Sequence, residues 1–261
     1  MTENYTTLIV EDHFPLLTVT LNRPKVANAM NLQMVTELTQ IMCKVEQEQY
    51  RIFVLQGSHG NFCAGGDIKD MQLAKGDAKA LTELNRAFGL MLEKANTLPA
   101  VVVCLLQGAV LGGGFGLACI SDVAIAIQKT KFALPETSLG IIPAQIAPFV
   151  VERIGLTQTR RLALVGNRID GKEALRLGLI HQLAIDEQDM ALQLKKTISL
   201  VLKCAPHANQ TTKKLLHKVS KQTMTELLDH AALDFATAVA GEGREGATAF
   251  MQKRLPDWAN A

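Results

Sequence analysis

The chain has 261 residues, of which 48% are hydrophobic and 20% charged, and this length supports one large domain or two modest ones around a sizeable core. A formal net charge of only +2 gives no support to a nucleic-acid-binding surface. The five cysteines are widely spaced and include no CxxC pair, so they do not indicate a zinc site or a set of disulfides. We therefore expect buried, reduced thiols, no metal, no nucleic-acid partner and, since "MTENYTTLIVEDH" lacks a signal-peptide pattern, a cytoplasmic location.

The first third of the chain alternates predicted strands and helices. Residues 16–22 alternate apolar and polar side chains, which predicts a half-buried strand. Asn31 is of a type that caps helices, and apolar residues then recur at helical spacing over 32–45, so a helix is predicted to begin there. Residues 51–57 are typical of a short buried strand, and 81–98 again have helical periodicity.

The stretch 100–121 carries no charged residue and is long enough to raise the question of a membrane-spanning helix. Its composition indicates otherwise, because "AVVVCLL" is rich in β-branched residues and is followed by Gln107, Gly108 and a glycine cluster. We predict a buried strand over 100–108, then a turn and a buried helix, and no membrane segment.

Two glycine-containing turns follow predicted strands at corresponding places, "CAGGD" at 63–67 and "LGGGFG" at 111–116. A helical crossover lies between the two strands, so they should be parallel, and both turns should lie at the same edge of the sheet. Glycine lets backbone N–H groups approach a ligand that a Cβ atom would block. Two such groups on one oxygen form an oxyanion hole, and close packing is the alternative that the spacing leaves open.

The second half of the chain is mostly helical in pattern. After a predicted strand at 123–127, helical periodicity is found over 150–154, 159–165 and 172–177, and over much of 190–240. The predicted class is α/β at first and helical at the end. We divide the chain into a core of residues 1–195 and a C-terminal helical region of residues 196–261.

Five motifs together resemble the crotonase (enoyl-CoA hydratase/isomerase) superfamily. In chain order they are "NRPKVANAM", "GNFCAGGDIKDM", "GAVLGGGFGLACISDVAIA", "FALPETSLGIIP" and "IDGKEALRLGLI". The resemblance implies an α/β spiral of ββα units with a C-terminal helical trimerisation region. It also implies a coenzyme A thioester substrate, no further cofactor, and a homotrimer or a dimer of trimers.

Carried over onto this sequence, the family's oxyanion donors fall on the backbone N–H groups of Ala64 and Gly113. For Asp67 we expect a capping role at the helix that follows. The resemblance also places several residues along the path of the coenzyme A moiety, namely Lys25, Gly66, Ile68, Lys69 and Lys253.

Glu136 matches the second of two glutamates that hydratases of the family carry. Leu134, Pro135 and Leu139 surround it, so partial desolvation should favour its protonated form and suit a proton-transfer role. The first glutamate is replaced by Gly116, which puts ordinary two-glutamate hydration in doubt and could make room for a substrate carboxylate. Gln145 offers a polar group to substrate or water, and the segment 134–155 resembles a subgroup that hydrates branched glutaconyl-CoA thioesters.

Three functions remain open on the sequence. The first is a hydratase in which Glu136 activates water for attack at the β-carbon. The second is a Δ3-Δ2 isomerase, in which Glu136 alone moves a proton from the α- to the γ-carbon. The third is an acyl-CoA-binding protein without catalysis, which the intact Glu136 and both glycine turns argue against.

Overall fold

A computed structural model describes residues 5–73, 76–219 and 221–259, and the chain divides into two units, Met1–Leu194 and Lys195–Ala261. Six strands of the first unit form one sheet in the order β1-β2-β3-β4-β6-β8, and β5 pairs with β7 in a second sheet. The strands are β1 (Leu8–His13), β2 (Leu16–Leu21), β3 (Ile52–Gly57), β4 (Val101–Leu106), β5 (Ala109–Leu111), β6 (Val123–Ile127), β7 (Lys131–Ala133) and β8 (Gln182–Ala184).

Helices connect and flank these strands. They are α1 (Leu32–Gln47), α2 (Ile68–Leu73), α3 (Ala78–Thr97), α4 (Gly113–Cys119), α5 (Ala147–Val165), α6 (Gly171–Arg176), α7 (Glu187–Lys203), α8 (Pro206–Leu216), α9 (Met224–Ala240) and α10 (Glu242–Met251). The predicted α/β class is therefore confirmed. No helix in the described ranges is long and apolar enough to cross a membrane.

The core of the main sheet follows the predicted pattern. Leu17, Val19 and Leu21 in β2 are fully buried, and β2, β3 and β4 run parallel, as the helical crossovers require. Helix α1 begins where predicted, because the Asn31 side chain accepts a hydrogen bond from the N–H of Met34 at 3.0 Å. Among the strand pairs of the described main sheet, β1 with β2 is antiparallel and the others are parallel.

The short strands β5 and β7 were not predicted, because three residues are too few to show periodicity. They nevertheless decide where the glycine turns lie. In the 147–165 region, the two predicted helical segments merge into α5 around a kink at Gly155, whose φ of 75° is not helical.

The cysteines fit the prediction of reduced thiols only in part. Cys63, Cys104 and Cys119 are buried, and burial raises the pKa of each to about 12. Cys43 is partly exposed and Cys204 is exposed, and all five are thiols. The buried thiols are therefore packing groups rather than nucleophiles.

In the second unit, α9 begins with a capping box. The Thr223 side chain accepts from the N–H of Glu226, and the Glu226 carboxylate accepts from the N–H of Thr223. Near its end, the Trp258 indole donates to the carbonyl oxygen of Lys203 at 3.1 Å. These contacts fix the local geometry of a unit whose described secondary structure is helical, as its periodicity predicts.

Candidate active site

Three turns from different parts of the chain lie side by side at one edge of the second sheet. Cys63 bridges Val110 in parallel register, and the N–H of Leu111 donates to the carbonyl oxygen of Cys63 at 2.9 Å. On the other side of β5, the N–H of Gly112 donates to the carbonyl oxygen of Ala133 at 3.0 Å. The segments that follow these strands therefore lie side by side, as predicted for the two glycine turns, and the third brings in Glu136.

The first turn corrects the predicted donor at Ala64. Its N–H donates to the carbonyl oxygen of Ala27 at 3.0 Å, so it is already used within the fold. Gly65 has a φ of +105°, and this conformation turns the chain so that Gly66 lines a cavity. Among the described residues, the N–H of Gly66 has no acceptor.

The second turn places Gly113 against the same cavity. Gly112 has a φ of +49°, and Gly113 is the first residue of α4, so its N–H has no intrahelical partner. No other acceptor for it is present in the described ranges. A methyl group on Gly65 would lie 3.8 Å from the Gly113 nitrogen, so the two turns are in contact and can present two N–H donors to one oxygen.

Glu136 begins the third turn, a 3-10 helix at Glu136–Leu139. Its Oε1 would lie 2.7 Å from a methyl group on Gly112, which shows how closely the carboxylate lies over the second turn. Its Oε2 is buried and has no hydrogen-bond partner among the described residues. Burial raises the pKa of the Glu136 carboxyl above its ordinary range, so this group is suited to take up and return a proton.

Gly116 does not provide the open space that its sequence position suggests. A methyl group there would lie 2.5 Å from Cγ2 of Ile146 and 3.5 Å from Cδ1 of Leu92. Ile146 thus covers the position of the missing acid, so the room for a substrate carboxylate that was predicted at Gly116 is filled, and Gly116 lies outside the cavity lining. Asp67 in the first glycine turn is paired with Arg23, and Glu136 is the carboxylate of the described cavity lining whose buried oxygen has no hydrogen-bond partner.

The cavity that joins these groups has a volume of about 690 Å³. Most of its walls are apolar, as an acyl chain requires. The apolar lining residues come from α1, α3, the position two residues before α1 and the segment 140–146, and they are Met30, Leu32, Val35, Leu81, Leu84, Phe88, Gly140, Ile141, Ile142, Pro143, Ala144 and Ile146.

Gln145 lines this cavity, and two polar residues of α3 that no sequence motif indicated lie beside it. Gln145 donates through Nε2 to Oδ1 of Asn85 at 3.0 Å, and Nη1 of Arg86 lies 3.4 Å from its Oε1. Helical periodicity is the sequence pattern that could have indicated these residues. Four residues of α3 recur at helical spacing and line the cavity together, namely Leu81, Leu84, Asn85 and Phe88.

The residues predicted along the coenzyme A path are exposed and, Gly66 apart, lie outside the cavity lining. They are Lys25, Ile68, Lys69 and Lys253, and their assignment stays a prediction. The capping role of Asp67 is confirmed, because its carboxylate accepts from the N–H of Lys69 at 3.0 Å. Asp67 also pairs with Arg23 at 2.8 Å, and these contacts hold its pKa below the usual range despite burial.

Comparison with known proteins agrees with this geometry. Residues 13–261 match the family model for enoyl-CoA hydratase/isomerase. The chain is similar to a crystal structure of an enoyl-CoA hydratase/isomerase from Marinobacter aquaeolei, with 54% identity and a TM-score of 0.94 over 97% of this chain and 99% of that one. It is similar to Pseudomonas aeruginosa AtuE, with 55% identity and a TM-score of 0.95 over the same shares.

A relative with a different stated activity is the 1,2-epoxyphenylacetyl-CoA isomerase of Escherichia coli, 30% identical over 93% of this chain and 94% of that protein. The family thus includes proteins named for more than one reaction, and the fold does not by itself select among them. On the match of nearly its whole length, the chain belongs to the enoyl-CoA hydratase/isomerase family, the crotonase superfamily, and is an enzyme of that family.

Proposed function

We propose that this enzyme is an enoyl-CoA hydratase that acts on an α,β-unsaturated acyl-CoA thioester. The observation that carries the proposal is the position of the buried, unpartnered carboxylate oxygen of Glu136 beside two unpaired N–H groups, those of Gly66 and Gly113. A thioester oxygen that accepts from both N–H groups would place the reacting carbons beside the carboxylate. This chemistry requires no cofactor, since coenzyme A is part of the substrate.

Hydration then proceeds through one acid–base residue. Ionised Glu136 takes a proton from water while the water oxygen forms a bond to the β-carbon. The π electrons of the double bond move toward the α-carbon and the thioester oxygen, where the Gly66 and Gly113 N–H groups stabilise the enolate. Protonated Glu136 returns the proton to the α-carbon, so one water molecule is added and the residue is regenerated.

The oxyanion role of Gly113 is tested by replacing it with alanine and with proline. Both substitutions add a Cβ that meets Cε of Met30 at 2.6 Å and Cζ of Phe88 at 3.1 Å, and both contacts involve side-chain ends that can shift. Only proline removes the N–H, and the first position of a helix tolerates it. We expect Gly113→Pro to lower kcat by about 10² relative to Gly113→Ala.

Circular dichroism and thermal unfolding of the two Gly113 variants provide the control, because a folded proline variant isolates the lost donor from lost structure. If the two variants have equal kcat values, the Gly113 N–H is not an oxyanion donor. Gly66 then remains the candidate donor in the first turn.

For the acyl group, we propose a branched thioester of the glutaconyl type, which carries a carboxylate at its far end. The proposal rests on the resemblance of "LPETSLGIIPAQIAPFVVERIG" to the subgroup that hydrates such substrates, and on a cationic side chain in the cavity. Initial rates with crotonyl-CoA and with 3-methylglutaconyl-CoA test it directly. A higher kcat/KM for crotonyl-CoA would contradict the glutaconyl assignment and leave the hydratase assignment in place.

A double-bond isomerase is the second candidate, and one observation favours it. Among the carboxylates of the described cavity lining, Glu136 is the one with a buried oxygen that has no hydrogen-bond partner, and a proton moved from the α- to the γ-carbon needs one base and no water. Incubation of 3-enoyl-CoA in deuterium oxide separates the two reactions. Conversion of the 3-enoyl-CoA into a deuterated 2-enoyl product identifies an isomerase. A hydratase leaves 3-enoyl-CoA unchanged and converts 2-enoyl-CoA into 3-hydroxyacyl-CoA.

We further propose that the protein is a cytoplasmic homotrimer or dimer of trimers. In the second unit, Leu233, Phe235 and Phe250 expose 68%, 71% and 85% of their surface, and burial between copies would remove these apolar groups from water. We expect a mass of three or six chains by light scattering. Phe235→Glu should lower that mass, and a monomeric wild-type protein would contradict the proposal.

A further inference from the structure

The described lining of the cavity contains more acidic than basic side chains. Among the described lining residues, the acidic side chains are Asp67, Asp70 and Glu136, and the only basic one is Arg86. Asp67 already pairs with Arg23, and Asp70 accepts from the N–H of Leu32 at 2.8 Å. Arg86 is therefore the one cationic side chain of the described lining, and within the cavity it contacts the amide of Gln145 rather than a carboxylate.

Arg86 has only a weak ionic partner outside the cavity. Its Nη2 lies 3.4 Å from Oε2 of Glu93, and the two side chains are 52% and 62% exposed. Exposed pairs of this kind contribute little, because water screens them and both side chains lose freedom. The guanidinium is thus available to an incoming anion, and its planar set of donors matches the geometry of a carboxylate.

Two amide side chains hold the space beside Arg86. Gln145 directs Oε1 toward Arg86 and Nε2 toward Asn85. Gly89 leaves room for this arrangement, because a methyl group there would lie 1.9 Å from Oε1 of Gln145. The result is a polar corner formed by Asn85, Arg86 and Gln145 in a cavity that is otherwise mainly apolar.

This polar corner adjoins the walls that enclose the acyl chain. Phe88, two residues after Arg86, would lie 3.1 Å from a methyl group on Gly113. Ile146, the residue after Gln145, covers Gly116 in the same helix α4. An acyl chain that starts at the Gly113 N–H and passes Glu136 is bounded by Phe88 and Ile146, and the polar corner continues both walls.

We propose that Arg86 binds a carboxylate at the far end of the acyl chain, with Asn85 and Gln145 positioning the guanidinium and completing the polar corner. An ionised carboxylate is costly to bring into an apolar cavity unless a cation pairs with it. Arg86 is the residue that supplies this pairing. The inference deepens the proposed function, on which it rests, by assigning the group that selects carboxylated substrates.

The experiment compares Arg86→Gln with wild type on two substrates that differ by a terminal carboxylate, glutaconyl-CoA and crotonyl-CoA. We expect KM for glutaconyl-CoA to rise about 10- to 100-fold, which corresponds to the loss of a hydrogen bond to a charged group. KM for crotonyl-CoA should stay within about twofold of wild type, and Arg86→Lys should restore part of the loss. Arg160→Gln, which removes an exposed arginine of α5 outside the cavity lining, is the matched control.

Equal losses on both substrates would overturn the inference, because Arg86 would then contact the coenzyme A moiety or support the fold. An unchanged KM for glutaconyl-CoA would overturn it as well. Calorimetric titration with glutaryl-CoA and butyryl-CoA, which cannot be hydrated, separates this result from failure of the proposed function. We expect Arg86→Gln to weaken the binding of glutaryl-CoA but not that of butyryl-CoA, even if the reaction is an isomerisation. Equal affinity of wild type and variant for glutaryl-CoA would contradict the role of Arg86.

Discussion

Replacement of Glu136 by glutamine is expected to lower kcat by about 10² or more, because Asp67 is held in an ion pair with Arg23 and Glu136 carries the unpartnered carboxylate oxygen that can move the proton. Affinity for a saturated acyl-CoA should change little, since the amide keeps the shape of the side chain. Stopped assays of 3-hydroxyacyl-CoA formation measure the first effect, and calorimetric titration measures the second. Glu152→Gln, an exposed change on α5, is the matched control.

The pH dependence of the wild-type enzyme has a definite sign. As a general base, Glu136 must be ionised, so activity falls as pH decreases through its pKa. Because burial raises that pKa above the ordinary range of a glutamate, the acidic limb of kcat/KM should lie at higher pH than it would for an exposed glutamate. Retention of activity in Glu136→Gln, or an unshifted acidic limb, would remove this residue from the proposed mechanism.

Ionisation of Glu136 is required for activity but should lower the stability of the folded enzyme. A pKa that is raised in the folded state means that the protonated carboxyl favours folding at low pH, and that this contribution is lost as pH rises through the folded pKa. Glutamine has no charge to desolvate. The melting temperature of Glu136→Gln should therefore exceed that of wild type at pH 8, and the difference should shrink toward about pH 4.

The second large effect is expected when an acid is restored at position 116. Gly116→Glu would place a side chain where Ile146 and Leu92 already lie, and its carboxylate would be buried without a partner. We expect a loss of about 3 kcal/mol or more in the free energy of unfolding, through overpacking and an unpaired buried charge. Thermal unfolding of the purified variant measures this loss.

A double-mutant cycle with Ile146→Ala identifies the cause. In that background the β-branched side chain over Gly116 is gone, so Gly116→Glu should cost at least about 1 kcal/mol less than it does in wild type. The double variant should also gain crotonyl-CoA hydration relative to Ile146→Ala alone, because the new carboxylate can reach the cavity. Additive stability losses would show that Ile146 does not occupy the space of the missing acid.

Local patterns predicted much of the framework. The alternation in β2, the cap at Asn31 and the parallel order of β3 and β4 follow from periodicity, capping chemistry and crossover rules that act over short stretches. The proximity of the two glycine turns follows from the same rules. Glu136 required the family resemblance, because a single glutamate in an apolar segment has no periodicity of its own.

What the sequence did not reveal depends on contacts between distant segments. Whether Ala64 or Gly66 has an unpaired N–H depends on the acceptor at Ala27 and on the positive φ of Gly65. The covering of Gly116 by Ile146 joins residues 30 positions apart in sequence. Arg86 is an exposed arginine on an amphipathic helix, and its helical pattern is the same whether it faces a cavity or bulk water.

The stacking of the three turns has a consequence for how such an enzyme can change. The oxyanion donors and Glu136 follow backbone segments that are hydrogen-bonded to one another, so the repeat distance of a β-ladder, about 4.8 Å, sets their spacing. The walls around the acyl chain come from other segments, α3 and residues 140–146. Substitutions in those walls can therefore alter which acyl group is accepted while the ladder keeps the reacting geometry constant.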